Sequence, residues 1–136
     1  SFENGRWNGL WEQDSQNDWL ITTQRATAGR AAAEVDGLAT DATLTSVPID
    51  LQGSRRAVIA FAWLIEGSFD AGEYLAFDAS LDGGATWREY ARLSPEQSPR
   101  DQWQTPISRA MTSCGYGSAP GPPRRTKMRI STRCGC

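Results

Sequence analysis

Residues 73–90 read "EYLAFDASLDGGATWREY", and this run decides the fold class. Its first half alternates. Leu75, Phe77, Ala79 and Leu81 fall on one side, and Tyr74, Ala76, Asp78 and Ser80 on the other, as successive strand residues do. Its second half is a turn. Ser80, Asp82, Gly84, Thr86 and Trp87 follow the pattern S-x-D-x-G-x-T-W. Asp82 can accept hydrogen bonds from N–H groups of its own turn, the glycines tolerate positive φ, and Trp87 can pack under the loop. The reading is strand, tight turn, strand.

Working outward, residues 57–65 read "AVIAFAWLI", with Ile59, Phe61, Trp63 and Ile65 in one phase and the small residues mostly in the other. This predicts a central strand, and a core in which those four side chains meet Leu75 and Phe77. "ATLTSVPIDL" (42–51) also alternates, and Pro48 marks an edge strand or a bulge. "DWLITTQ" (18–24) and "RAAAEV" (30–35) are shorter strand candidates. Clusters of turn residues, such as "VDG", "LQGS" and "DAGE", separate the runs. No segment has convincing helical amphipathicity. The predicted fold is all-β: an antiparallel β-sandwich of the jelly-roll kind over residues 1–110, with an irregular C-terminal tail over 111–136.

Composition narrows the chemistry. The chain has 136 residues and a formal net charge of -2, which gives no electrostatic case for nucleic acid or an anionic membrane surface. No apolar run approaches the roughly 20 residues of a membrane-spanning helix, so no membrane insertion is expected. The first residue is Ser1 rather than methionine, and the chain is expected to be an excised or mature part of a larger polypeptide. Histidine is absent, which removes the Ser-His-Asp and Cys-His nucleophile systems and His-ligated zinc. Three cysteines, Cys114, Cys134 and Cys136, cannot fill a four-thiolate zinc site, and no glycine-rich phosphate loop follows a strand.

Two resemblances add to this reading. The turn at Ser80–Trp87 resembles the Asp-box, a hairpin motif that recurs around sialidase propellers; one copy in a chain this short is expected to be a structural hairpin. In order along the chain, "SFENG", "WEQDSQNDW", "VDGLATDATLTSVPIDLQG" and "IAFAWLIEGSFDAGEYLAFDASLDGGATW" resemble the galactose-binding-like, carbohydrate-binding-type jelly-roll modules of secreted bacterial proteins, from Ser1 to about Trp103. That resemblance implies a non-catalytic accessory module, extracellular or on the cell surface, which binds glycan weakly and holds a structural calcium. Glu3 matches the N-terminal acid that ligates calcium in such modules. The second acid of the family, from an apolar-Asp-x-apolar closing strand, has no counterpart in the sequence as written.

Sugars stack on aromatic rings while amides and carboxylates hold their hydroxyls. Trp7, Trp11 and Trp19 surround a polar stretch in which Gln13, Asp14, Asn17 and Asp18 are candidates for the hydroxyls. Tyr74 shares the non-core face of its strand with Asp78. The expected ligand-binding set is therefore Trp7, Trp11, Gln13, Asp14, Asp18, Trp19, Tyr74 and Asp78. A glycosidase would need two facing carboxylates. Glu12 and Asp14 lie in a polar, loop-like context, and Glu73 and Asp78, five apart, fall on opposite faces of one strand. Catalysis is not expected. A purely structural spacer within a larger secreted hydrolase or protease is the alternative.

The tail differs from everything before it. All 16 acidic residues lie at or before Asp101, whereas the three cysteines and the only lysine, Lys127, lie in the last two dozen residues. Reading the third base of each codon with the first two of the next, Met111–Thr112 forces Asp, and Arg133–Cys134 and Gly135–Cys136 force apolar residues. The closing junctions permit "EDIDAVRV", which resembles the missing closing strand. The tail is thus expected to be an out-of-frame reading entered near Arg109, with residues after about Ala110 unpaired and "PGPPRR" irregular. The alternative is a genuine basic tail, disordered or binding something acidic.

Overall fold

The structure is a computed structural model, and it describes residues 2–35, 39–51, 56–67, 70–94, 101–104, 109–112 and 125–133. The described residues contain ten strands and no helix: β1 (Trp11–Gln13), β2 (Trp19–Thr22), β3 (Ala32–Val35), β4 (Thr43–Ser46), β5 (Ile49–Asp50), β6 (Arg56–Ile59), β7 (Tyr74–Ser80), β8 (Arg88–Leu93), β9 (Arg109–Thr112) and β10 (Arg125–Arg133). All the pairings are antiparallel. The fold is all-β, as the alternation requires.

One large sheet runs β1-β4-β10-β7-β8, and β5 also pairs with β10. Two small sheets, β2-β3 and β6-β9, accompany it. Cross-strand register sorts the residues of the large sheet onto two faces. Leu44, Leu75, Phe77, Ala79 and Leu93 share one face; Thr43, Thr45, Tyr74, Ala76, Asp78 and Arg92 share the other.

The first face carries two cores. Trp63, Ile65, Phe77 and Leu93 form one, with Ile59, Phe61 and Leu75 against it, so the six residues grouped by phase do meet. Phe61 sits between two rings, edge-on to Trp63 at 5.3 Å and tilted against Phe77 at 4.8 Å. The other core joins Trp19, Ala39, Ala42 and Leu44, with Val35 and Leu75 packed on it. Leu44 is fully buried, and truncating it to Ala should cost about 2–5 kcal/mol.

Two expectations need correction. Residues 57–65 are not one central strand. Pairing stops at Ile59, and among the described residues β6 has only β9 beside it. Beyond it, the Trp63 and Ile65 carbonyls accept the N–H groups of Gln104 and Asp101 instead, so the phase survives without the ladder. Of the two readings of Pro48, the structure bears out the bulge. Thr45 faces Arg129 but Ile49 faces Thr126, so register on β10 slips by one residue across Val47–Pro48, where proline has no N–H to give.

The second correction concerns the tail. Residues 109–112 pair with β6, and Arg125–Arg133 is a central strand, flanked by β7 on one edge and by β4 and β5 on the other. Main-chain ladder bonds require no particular side chains, and an empty slot here would leave two rows of N–H and C=O groups unpaired in mid-sheet. The "TKMRIST" segment also alternates, and its β-branched residues suit a strand. Residues 113–124, with most of "PGPPRR", lie outside the described residues.

Candidate functional site

The polar face of β7, β8 and β10 gathers the chemistry. Asp78 faces Arg129 on one side and Glu89 on the other; Ser80 faces Lys127, and Ala76 faces Arg92. Asp78 is buried, and its Oδ2 accepts Nε–H and Nη2–H of Arg129 at 3.2 and 3.0 Å. The same guanidinium lies over the Trp87 ring, 4.6 Å from its centroid. A buried carboxylate is tolerated only when a cation or several donors hold it, and Arg129 is that cation.

A second assembly stands beside the first. Arg92 lies 3.6 Å over the centroid of Tyr74 and donates from Nε to Glu89 Oε1 at 3.0 Å and from Nη2 to Glu89 Oε2. Residues three apart on a strand belong on opposite faces. They meet here because β8 bulges: Phe77 faces Ala91 while Asp78 faces Glu89, and Tyr90 is the extra residue between them. The hydrogen bonds from Arg92 hold the Glu89 carboxyl below its usual range, and Glu89 raises Arg92 in return.

The turn from Ser80 to Trp87 closes one end of this face. Ser80 Oγ donates to Asp82 Oδ1 at 2.7 Å and accepts Gly84 N–H at 2.7 Å. Asp82 accepts from Thr86 twice, N–H to Oδ1 at 2.9 Å and Oγ1–H to Oδ2 at 2.5 Å. The hydrogen bonds from Ser80 and Thr86 drive the Asp82 carboxyl far below the ordinary range. Gly84 has φ +105°, and a Cβ there would press on Lys127 Cδ at 3.3 Å and on Trp87.

The predicted site residues do not form one cluster. Tyr74 and Asp78 stand on the polar face. Trp7, Trp11 and Trp19 lie together at the core of Ala42 and Leu44 instead. Trp19 is 5% exposed, and Phe2 stacks against Trp7 and Trp11 at 5.7 and 6.0 Å. Trp19 is thus a core residue rather than a sugar platform, since burying its ring stabilises more than exposing it. Its Nε1 is buried without a hydrogen-bond partner among the described residues.

Gln13 and Asp14 serve the backbone. Gln13 Oε1 accepts Trp19 N–H at 3.0 Å; Asp14 accepts Gln16 N–H at 3.0 Å and Thr43 N–H at 2.5 Å. They pin the β1–β2 connection to β4. Asp18 is half-buried beside them.

Glu3 is exposed, and its Oε2 accepts Arg30 N–H at 2.6 Å. Calcium takes six to eight oxygens. No group of three or more Asp, Glu, His or Cys side chains among the described residues comes together as a metal site.

Lys127, Arg129, Glu89 and Arg92 were absent from the predicted set. The bulge at Tyr90 has no sequence signal, and Lys127 and Arg129 lie in the tail that composition sets apart. No family model matches the chain, and no curated protein matches it at a significant level. Among the described residues no helix is long and apolar enough to cross a membrane.

Proposed function

We propose that the chain is a non-catalytic accessory module, of jelly-roll type, that binds carbohydrate on the polar face of β7, β8 and β10 and belongs to a larger extracellular or surface protein. One observation carries the reading: around the buried Asp78, the half-buried Tyr74, Trp87 and Arg129 and the exposed Glu89 and Arg92 bring aromatic rings and planar polar groups together at one sheet face. Rings and planar polar groups side by side suit the alternating apolar and hydroxylated surfaces of a sugar.

The spacer reading has its own support. Trp7, Trp11 and Trp19 pack at a core, and Asp14 and Asp78 are engaged within the fold. Titrating neutral and acidic oligosaccharides while following tryptophan emission separates the two. Trp87, beneath Arg129, is the reporter. A saturable change without release of reducing sugar is the expected result. A flat response to every glycan, with calcium or with chelator, leaves the spacer; a calcium-dependent response supports a structural ion held through Glu3 and backbone carbonyls.

A further inference from the structure

We infer that Lys127 and Arg129, seated on the Ser80–Trp87 turn, form an anion subsite for the carboxylate or sulfate groups of an acidic polysaccharide. The inference deepens the glycan reading and rests on it.

Lys127 faces Ser80 and Arg129 faces Asp78, so the two cations share a face, two residues and about 7 Å apart along the strand. The turn seats both. The stem of Lys127 crosses Gly84, where the absence of a Cβ makes room, and the Arg129 guanidinium rests on Trp87. Asp78 fixes that guanidinium through Nε and one Nη2 hydrogen. Five N–H donors less these two leave three, on a side chain that is 31% exposed. An arginine braced by a buried carboxylate, with its outer edge available, is already shaped for bidentate capture of a carboxylate or sulfate. Lys127 has no ion-pair partner among the described residues.

Of the neighbouring charges, Asp78 offsets Arg129, so Lys127 carries the charge of the subsite and Arg129 supplies braced donors. Arg92 and Glu89 neutralise each other. Asp82 is anionic, but Ser80 and Thr86 tie both of its oxygens into the turn. A nucleic-acid strand is a poorer occupant. It needs many phosphate contacts, and a chain of net charge -2 has no overall field to gather them, whereas Lys127 beside the braced Arg129 suits one or two charged groups flanked by hydroxyls. The Arg92–Glu89 pair, beside the subsite, offers hydrogen bonds to those hydroxyls.

Calorimetric titration of the full chain with oligogalacturonate, heparin oligosaccharide, xylo-oligosaccharide and a single-stranded DNA oligonucleotide tests the assignment, in wild type, Lys127→Ala and Lys127→Arg. Lys127 is only partly buried, so the alanine variant keeps its fold. The expected result is preference for an acidic oligosaccharide, about tenfold weaker binding in Lys127→Ala, rescue in Lys127→Arg, and weakening with added salt. Preference for oligogalacturonate over heparin assigns carboxylate, and the reverse assigns sulfate. Equal binding of acidic and neutral oligosaccharides, insensitive to Lys127→Ala, overturns the subsite and leaves the glycan reading intact. Preference for DNA overturns the acidic-sugar assignment. Failure to bind any of the three oligosaccharides overturns the glycan reading as well.

Discussion

The Ser80–Trp87 turn and strand β10 touch each other, yet they are held in opposite ways. The turn is self-sufficient: its hydrogen bonds run from Ser80 and Asp82 to residues at most four positions away. Strand β10 relies on partners far off in sequence, with Arg129 reaching back 51 residues to Asp78. The turn is made by a short pattern and stands wherever that pattern occurs. The strand is made by a vacancy between β4 and β7, and its residues matter chiefly where they fill that vacancy with the right charge.

The harshest way to break the comparison is to remove the strand. A chain ending before Arg125 loses the centre of the large sheet, and β4 and β7 become open edges. It is expected to lose cooperative unfolding and near-ultraviolet dichroism, and a sharp melting transition in the truncated chain would contradict the central placement. A milder cut is Arg129→Ala, which leaves the buried Asp78 carboxylate without its cation. Since Arg129 is partly exposed, the expected cost is about 2 kcal/mol rather than the full value for a deeply buried pair. Urea unfolding checks it, and the double replacement Asp78→Ala, Arg129→Ala should cost less than the sum of the two single ones.

The smallest effect belongs to the turn and is read in pH. The folded Asp82 carboxyl titrates below its unfolded value, so its contribution is present above the unfolded pKa and is lost as pH falls through the folded one. Trp87 emission should therefore hold steady from neutral into mild acid and change only in strong acid. The stability gap between wild type and Asp82→Asn should narrow along the same path. A gap that widens on acidification would mean that the turn is held by something other than the ionised carboxylate.

This contrast also explains what was legible. Strand β7 and its turn could be read directly, because alternation and the S-x-D-x-G-x-T-W pattern are local. The shared core of Phe61, Trp63 and Phe77 followed from phase alone. The end of β6 at Ile59 could not be read, because it depends on where β9 stops. Half of the candidate site was hidden for the same reason. Tyr74 and Asp78 were visible on their strand, whereas Arg92 reaches that face only through a bulge and Arg129 only through a remote pairing.

Trp7, Trp11 and Trp19 misled because a tryptophan beside polar residues reads alike whether it faces a sugar or a core. The reading frame across Ser108–Met111 remains a proposal about the coding DNA. Restoring a base there would replace Lys127 and Arg129. An intact frame on sequencing keeps the pair.

The bulge at Tyr90 has a consequence for chain length. Phe77 keeps Ala91 and Asp78 keeps Glu89 whether or not a residue stands between the latter two. A deletion at the Tyr90 codon restores plain alternation and exchanges no residue between the two sides of β8. The same deletion inside β7, which is hydrogen-bonded along both edges, would turn every later side chain of the strand inside out.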